Sequence, residues 1–151
     1  MTVRLVLLLT FAVAVVVIVL RNTRTPDTVG IHQGRLAPLP SSPNAVSSQT
    51  GDSKRHVAPL PFSGSLEQSR AALLEAIRSY PGRVRIETET PVYIHCVFTT
   101  DILRFRDDVE FLLDEQNRLI HFRSASRFGY SDLGANRRRY ETLAGLYLRE
   151  G

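Results

Sequence analysis

The stretch RFRDDVEFLLDEQNRLIHFRSAS, Arg104 to Ser126, decides the fold. Apolar and polar residues alternate in both of its halves, as in half-buried strands, around the polar tetrad Glu115 to Arg118. This predicts a hairpin about a four-residue loop. Asp114 then opposes Leu119, and the rest of the register follows. Phe111 faces Phe122, Val109 faces Ser124 and Asp107 faces Ser126 on one side, while Glu110 faces Arg123 and Leu112 faces His121 on the other. Such aromatic and opposite-charge cross-strand pairs stabilise by roughly 0.2–1 kcal/mol each.

Working outward, RVRIETET from Arg83 and VYIHCVFTT from Val92 read as two further strands. Ser65 followed by Gln68 is a capping-box signal, and LEQSRAALLEAIRSY then runs to a stop at Pro81 and Gly82. Leu66, Leu73, Ile77 and Tyr80 form its apolar stripe, so it predicts an amphipathic helix. Beyond the hairpin, SDLGANRRRYETLAGLYLRE predicts a last helix with Ser131 or Asp132 as N-cap and Tyr140, Leu143, Ala144 and Tyr147 facing inward. Gly129 is expected to supply a positive φ, and Gly134, inside the first helical turn, a close approach to the sheet. The expected fold is α+β: a two-layer sandwich of a four-stranded antiparallel sheet with two helices on one face, preceded by one transmembrane helix.

That first helix rests on sixteen uncharged residues, Leu5 to Leu20, between Arg4 and Arg21, with Thr10 the single polar one. Such a helix spans about 24 Å, and snorkelling arginines can make up the difference from a ~30 Å hydrocarbon core. A cleavable signal peptide is the rival, with an apolar region of about 7–15 residues ending in a small-x-small site. The run ends instead in VVVIVLRNTR, which favours an uncleaved single-pass anchor. The flanking charges nearly balance, and the domain is expected on the extracytoplasmic side.

Six of the eight prolines lie between residues 26 and 61, which excludes a long helix or a central strand there. The chain divides into an anchor (1–20), a linker (21–37), an extended Pro/Ser-rich arm (38–62) and the α+β domain (63–151). Val46, Val57, Leu60 and Phe62 give the arm apolar punctuation, so it is expected to wrap onto the domain. The formal net charge of +4 resides in residues 1–55, and from His56 onward thirteen arginines balance thirteen carboxylates. A neutral domain lacks the cation excess that nucleic acid requires. Expected partners are the membrane, through Leu5 to Leu20, and an anionic ligand or a membrane protein.

The segments PNAVSSQ, FRDDVEFLLDE and RSASRFGYSDLGANRRRYE together resemble a family of bacterial and chloroplast proteins, domain of unknown function 1499, from about Pro38 to Tyr147. That family's arm commonly reads Cys-Pro-x-x-Pro-Asn-Cys. Here Leu39 and Ala45 stand at the two cysteine positions, so any disulfide of the relatives is missing. The resemblance implies a fold and a motif without an activity.

Chemistry-bearing residues cluster around the hairpin and the last helix. Asp107 alternates inward, and a buried carboxylate needs a partner. Helical spacing puts Arg137 with the apolar stripe, and Arg138 and Arg139 outward. The expected structural clasp comprises Asp107, Asp108, Ser126, Asn136 and Arg137, with the Asp107–Arg137 pair at its centre and Ser124 in support. The competing reading is an anion site of Arg123, Arg127, Ser131 and Arg137 at the helix start. A hydrolase using Ser124, Ser126 or Ser131 with His121 or His95 has no supporting motif spacing. Four scattered histidines and one cysteine show no metal-ligand spacing, so neither metal nor cofactor is expected. Cys96 reads as a core residue. The function expected is a membrane-anchored, non-enzymatic binding or assembly domain, with small-anion or lipid-headgroup binding as the alternative and a hydrolase behind it.

Overall fold

The computed structural model describes residues 2–150. Helix α1 (Thr2–Thr23) leads into a small hairpin of β1 (Ile31–His32) and β2 (Arg35–Leu36). The arm supplies β3 (Ala45–Ser47) and β4 (Leu60–Pro61), and then follow α2 (Leu66–Arg78), β5 (Arg83–Glu89), β6 (Tyr93–Thr99), β7 (Arg106–Asp114), β8 (Leu119–Ser126) and α3 (Ala135–Glu150).

The β7–β8 hairpin has the expected register throughout, from Asp107 opposite Ser126 to Asp114 opposite Leu119. Both faces of the hairpin are covered, yet the alternation persists because one is packed with apolar side chains and the other carries Asp108, Glu110 and Arg123; a slip of one residue would turn Phe111 and Phe122 out of the core. The α2 capping box forms as expected: Ser65 Oγ accepts the Gln68 N–H, and the Gln68 side chain accepts the Ser65 N–H.

The sheet is antiparallel, but it has six strands and not four. Its order is β3-β8-β7-β6-β5, and β4 also pairs with β8. The two extra strands come from the arm. Ala45–Ser47 and Leu60–Pro61 lie end to end along the outer edge of β8, opposite Arg123–Ala125 and Leu119–Ile120. An unpaired strand edge exposes a row of N–H and C=O groups, and these short pieces satisfy it. Their brevity, and the prolines around them, leave no periodicity to read.

Alternation divides the sheet into two faces. One carries Ile94, Cys96, Phe98, Val109, Phe111, Leu113, Ile120 and Phe122, packed with Leu73, Ala76 and Ile77 of α2 and Leu143 and Tyr147 of α3. The helices touch each other, α2 toward the β5–β6 side, where Arg70 reaches Thr90 O, and α3 toward β8 and β3. The other face carries Tyr93, His95, Asp108, Glu110, Leu112 and Arg123, all buried. Its cover is the segment after α1: Leu36 packs on Tyr93 and Leu112, and the Gly30 N–H donates to Glu110 Oε1 at 2.7 Å.

Candidate functional site

Strand alternation puts Asp108 and Glu110 of β7 on the same face as Tyr93 and His95 of β6 and Arg123 of β8. The result is two adjacent polar groups under the N-terminal segment. His95 Nε2 lies 2.8 Å from Asp108 Oδ1, and Arg127 grips the same carboxylate through Nη2 at 2.7 Å and Nε at 2.9 Å. Beside it, Glu110 receives Arg123 Nη1 at 2.7 Å, the Tyr93 hydroxyl at 2.7 Å and the Gly30 N–H.

Burial alone raises the Asp108 carboxyl, but the hydrogen bonds from His95 and Arg127 and the Arg127 charge outweigh it. The group is held below the ordinary carboxylate range. Tyr93 moves the other way: burial first, and then the Glu110 carboxylate, push its phenol far up, so it serves as a hydrogen-bond donor.

Arg127 also connects the domain to the apolar helix. Its Nη1 donates to Thr23 O at 3.1 Å, and Arg106 Nη1 reaches the same carbonyl at 3.3 Å. The last carbonyls of a helix have no partner within it, so two guanidinium groups at the negative end of α1 complete it. Asn22 adds a second tie, donating to Arg104 O and accepting from the Arg106 N–H, both at 2.8 Å.

On the helix-covered face a separate network joins α3 to the hairpin. Asp107 pairs with Arg139, Nη2 to Oδ2 2.5 Å, and not with Arg137. Arg139 also donates to Asn136 Oδ1 at 2.7 Å and Ser124 Oγ at 3.2 Å, and its guanidinium sits 5.0 Å above the Phe98 ring. Asn136 donates to Ser126 Oγ at 3.0 Å and Asn44 O at 2.8 Å, joining helix, hairpin and arm.

The expected Asp107–Arg137 pair is corrected by the phase of α3. Its buried positions 136, 139, 143 and 147 recur at three- and four-residue spacing, and 137 falls off that line. The start explains the shift. Leu133 and Gly134 both have positive φ, 51° and 80°, so the chain turns through them before the helix begins at Ala135. Gly134 therefore lies before the helix and not in its first turn. Asp132 caps this turn by accepting from the Gly134 and Asn136 N–H groups. Gly129, at φ +94°, does provide the turn expected of it.

The four anion-site candidates are not brought together. Arg123 is buried on Glu110 and Arg127 on Asp108. Ser131 is exposed, its Oγ accepting the Leu133 N–H at 3.3 Å. Arg137 instead holds the arm, donating to Lys54 O at 2.9 Å and His56 O at 3.0 Å. Of the clasp residues, Asp107, Ser126 and Asn136 meet, whereas Asp108 serves the opposite face.

Ser124 and Ser126 are engaged with Asn136 and Arg139 rather than with a histidine. The serine that reaches an imidazole is Ser48, Oγ to His121 Nδ1 3.3 Å, with Asp114 Oδ2 3.7 Å from Nε2. Ser48 also exchanges both hydrogen bonds with Phe122, so its hydroxyl is tied into the sheet edge. The carboxylate lies beyond hydrogen-bond length. This trio fastens the arm. No group of three metal-ligating side chains occurs among the described residues.

Of the partners found here, Arg139, expected to point outward, is instead buried on Asp107; His95, expected only as a hydrolase base, instead meets Asp108; and Tyr93 has no role in the sequence reading. A signal for His95 existed: β6 opposes β7 with Val97 at Asp108 and His95 at Glu110, which makes His95 the diagonal neighbour of Asp108.

Fold and site together define an α+β domain that Arg127 and Arg106 hold against the end of an apolar N-terminal helix. The chain belongs to the family described as Protein of unknown function (DUF1499), whose model matches residues 35–146. No curated protein matches it.

Proposed function

We propose that the protein is a single-pass membrane-tethered domain that works by binding or assembly and not by catalysis, with the domain outside the cytoplasm. The observation that carries this is Arg127, which grips buried Asp108 and the α1 carbonyl of Thr23 at once. A flexible leash needs no such joint, whereas a domain that must keep a fixed attitude to a bilayer does. The helix Val3–Thr23 is long and apolar enough to cross a membrane, and none of it is buried in the domain. At 1.5 Å per residue it extends about 31 Å, close to the ~30 Å hydrocarbon core. Thr10, its one interior polar side chain, donates to Val6 O and Leu7 O of its own helix.

The absence of chemistry in this reading rests on closure. Asp107, Asp108 and Glu110 are each paired with an arginine of the same chain, so these carboxylates are engaged within the fold. The test is carbonate extraction of membranes carrying the full chain, with protease added from each side. Retention with the domain cut only from outside is the expected result. Release by carbonate, with loss of the N-terminal segment, would refute the tether.

A second reading, binding of anionic ligands, draws support from a cavity away from the expected corner. Arg83, Arg85, Arg104 and Arg106 line it together.

A further inference from the structure

We infer that the β6–β7 loop, Thr100 to Phe105, enters the membrane interface and that the arginines around it bind phosphates of anionic phospholipids. The inference rests on α1 spanning the bilayer and concerns what the domain does once tethered. Three observations converge on this corner.

Position comes first. Asn22, in the last turn of α1, hydrogen-bonds to Arg104 O and to the Arg106 N–H, so the loop lies beside the point where the chain leaves the apolar helix. The loop is closed at its base, where Thr100 N–H donates to Phe105 O and Phe105 N–H to Thr100 Oγ1. Its tip therefore projects.

The tip is apolar. Ile102 is 90% exposed and Leu103 66%. Apolar side chains on a loop next to a bilayer gain by inserting among the acyl-chain ends, as the apolar face of an interfacial helix does.

Charge comes third. The cavity of about 200 Å³ behind the tip is lined by Arg83, Arg85, Arg104 and Arg106 with Val97 and Thr99. Arg83 meets Asp101 at 3.2 Å and Arg85 meets Glu87 at 2.6 Å, both at exposed positions, whereas the Arg104 guanidinium has no ion pair or hydrogen bond among the described residues. With Arg21 and Arg24 on the adjoining end of α1, six guanidinium groups stand against Asp27, Glu87 and Asp101. From His56 onward the charges balance as a whole, so the excess of cations at this corner is local. A guanidinium fork matches two phosphate oxygens, and anionic headgroups at the membrane surface supply them.

The test uses the full chain in nanodiscs. The protein has no tryptophan, so Ile102→Trp gives a single reporter at the tip. Gln116→Trp gives one in the β7–β8 turn, about 30 Å away at the other end of β7. Brominated phosphatidylcholine should quench Ile102→Trp several-fold more than Gln116→Trp. Adding phosphatidylglycerol should increase that quenching, salt should reduce it, and the Arg83→Gln/Arg104→Gln double variant should lose the phosphatidylglycerol dependence. Inorganic phosphate without anionic lipid should not reproduce the increase. Equal quenching of the two reporters in stably inserted chain, or blue-shifted emission without lipid quenching as a second copy would produce, overturns the loop insertion alone. Quenching indifferent to anionic lipid overturns the phosphate site. A chain that does not stay in the nanodisc overturns tether and loop together.

Discussion

Replacing Arg139 with methionine should be the most damaging of the three consecutive arginine substitutions. The side chain keeps its length but leaves the Asp107 carboxylate 4% exposed with no cation beside it. Breaking a buried pair by removing one partner costs about 3–5 kcal/mol, most of it the uncompensated charge. At about 4 °C per kcal/mol for a domain of this size, the midpoint should fall by about 12–20 °C. Arg137→Met removes two hydrogen bonds to exposed carbonyls, Lys54 O and His56 O, and should cost about 1 kcal/mol or less. The assay is urea and thermal unfolding of the full chain in detergent, followed by circular dichroism, within a double-mutant cycle. Asp107→Val should be as harmful as Arg139→Met, but Asp107→Val with Arg139→Met should recover much of the loss, because apolar groups then fill the site. A coupling above about 2 kcal/mol is expected. Additive effects, or Arg137→Met costing as much as Arg139→Met, would refute both the clasp and the phase assigned to α3.

Three further outcomes follow from the same geometry. The native Asp108 pKa lies below its unfolded value near 3.8, so its pairing stabilises fully above that value and is lost as pH falls through the native pKa; Asp108→Asn should flatten stability against pH in this acid range, as unfolding curves would record. Cys96 is buried and its thiol is pushed up to about 12, so a thiol reagent should label it at the rate of unfolding, and fast labelling of folded protein would contradict the packing. Gly134→Ala forces a side chain into φ +80° with its Cβ 3.0 Å from Arg138 Nη1, and should lower stability by about 1–2 kcal/mol while leaving carbonate resistance unchanged.

Local pattern sufficed wherever one residue's environment is set by its near neighbours. Period-two alternation and a four-residue turn determine which residue of β7 faces which of β8, including Glu110 opposite Arg123. Ser65 and Gln68 define the start of α2 by bonding to each other. An uncharged run of sixteen residues makes α1 recognisable, and most of the family motif lies in the hairpin and the turn after it. Tertiary structure alone decided the contacts made at long range. Three consecutive arginines sample almost every direction around a helix, so the one that meets Asp107 depends on where α3 begins, and the turn at Leu133 and Gly134 settles that. Pieces as short as β3 and β4 carry no period and become strands only because β8 offers an unfilled edge. The second face of the sheet needed a cover before Asp108 and Glu110 could be buried, and the segment following α1 supplies it, bringing Gly30 to Glu110 and Thr23 to Arg127 from opposite ends of the chain.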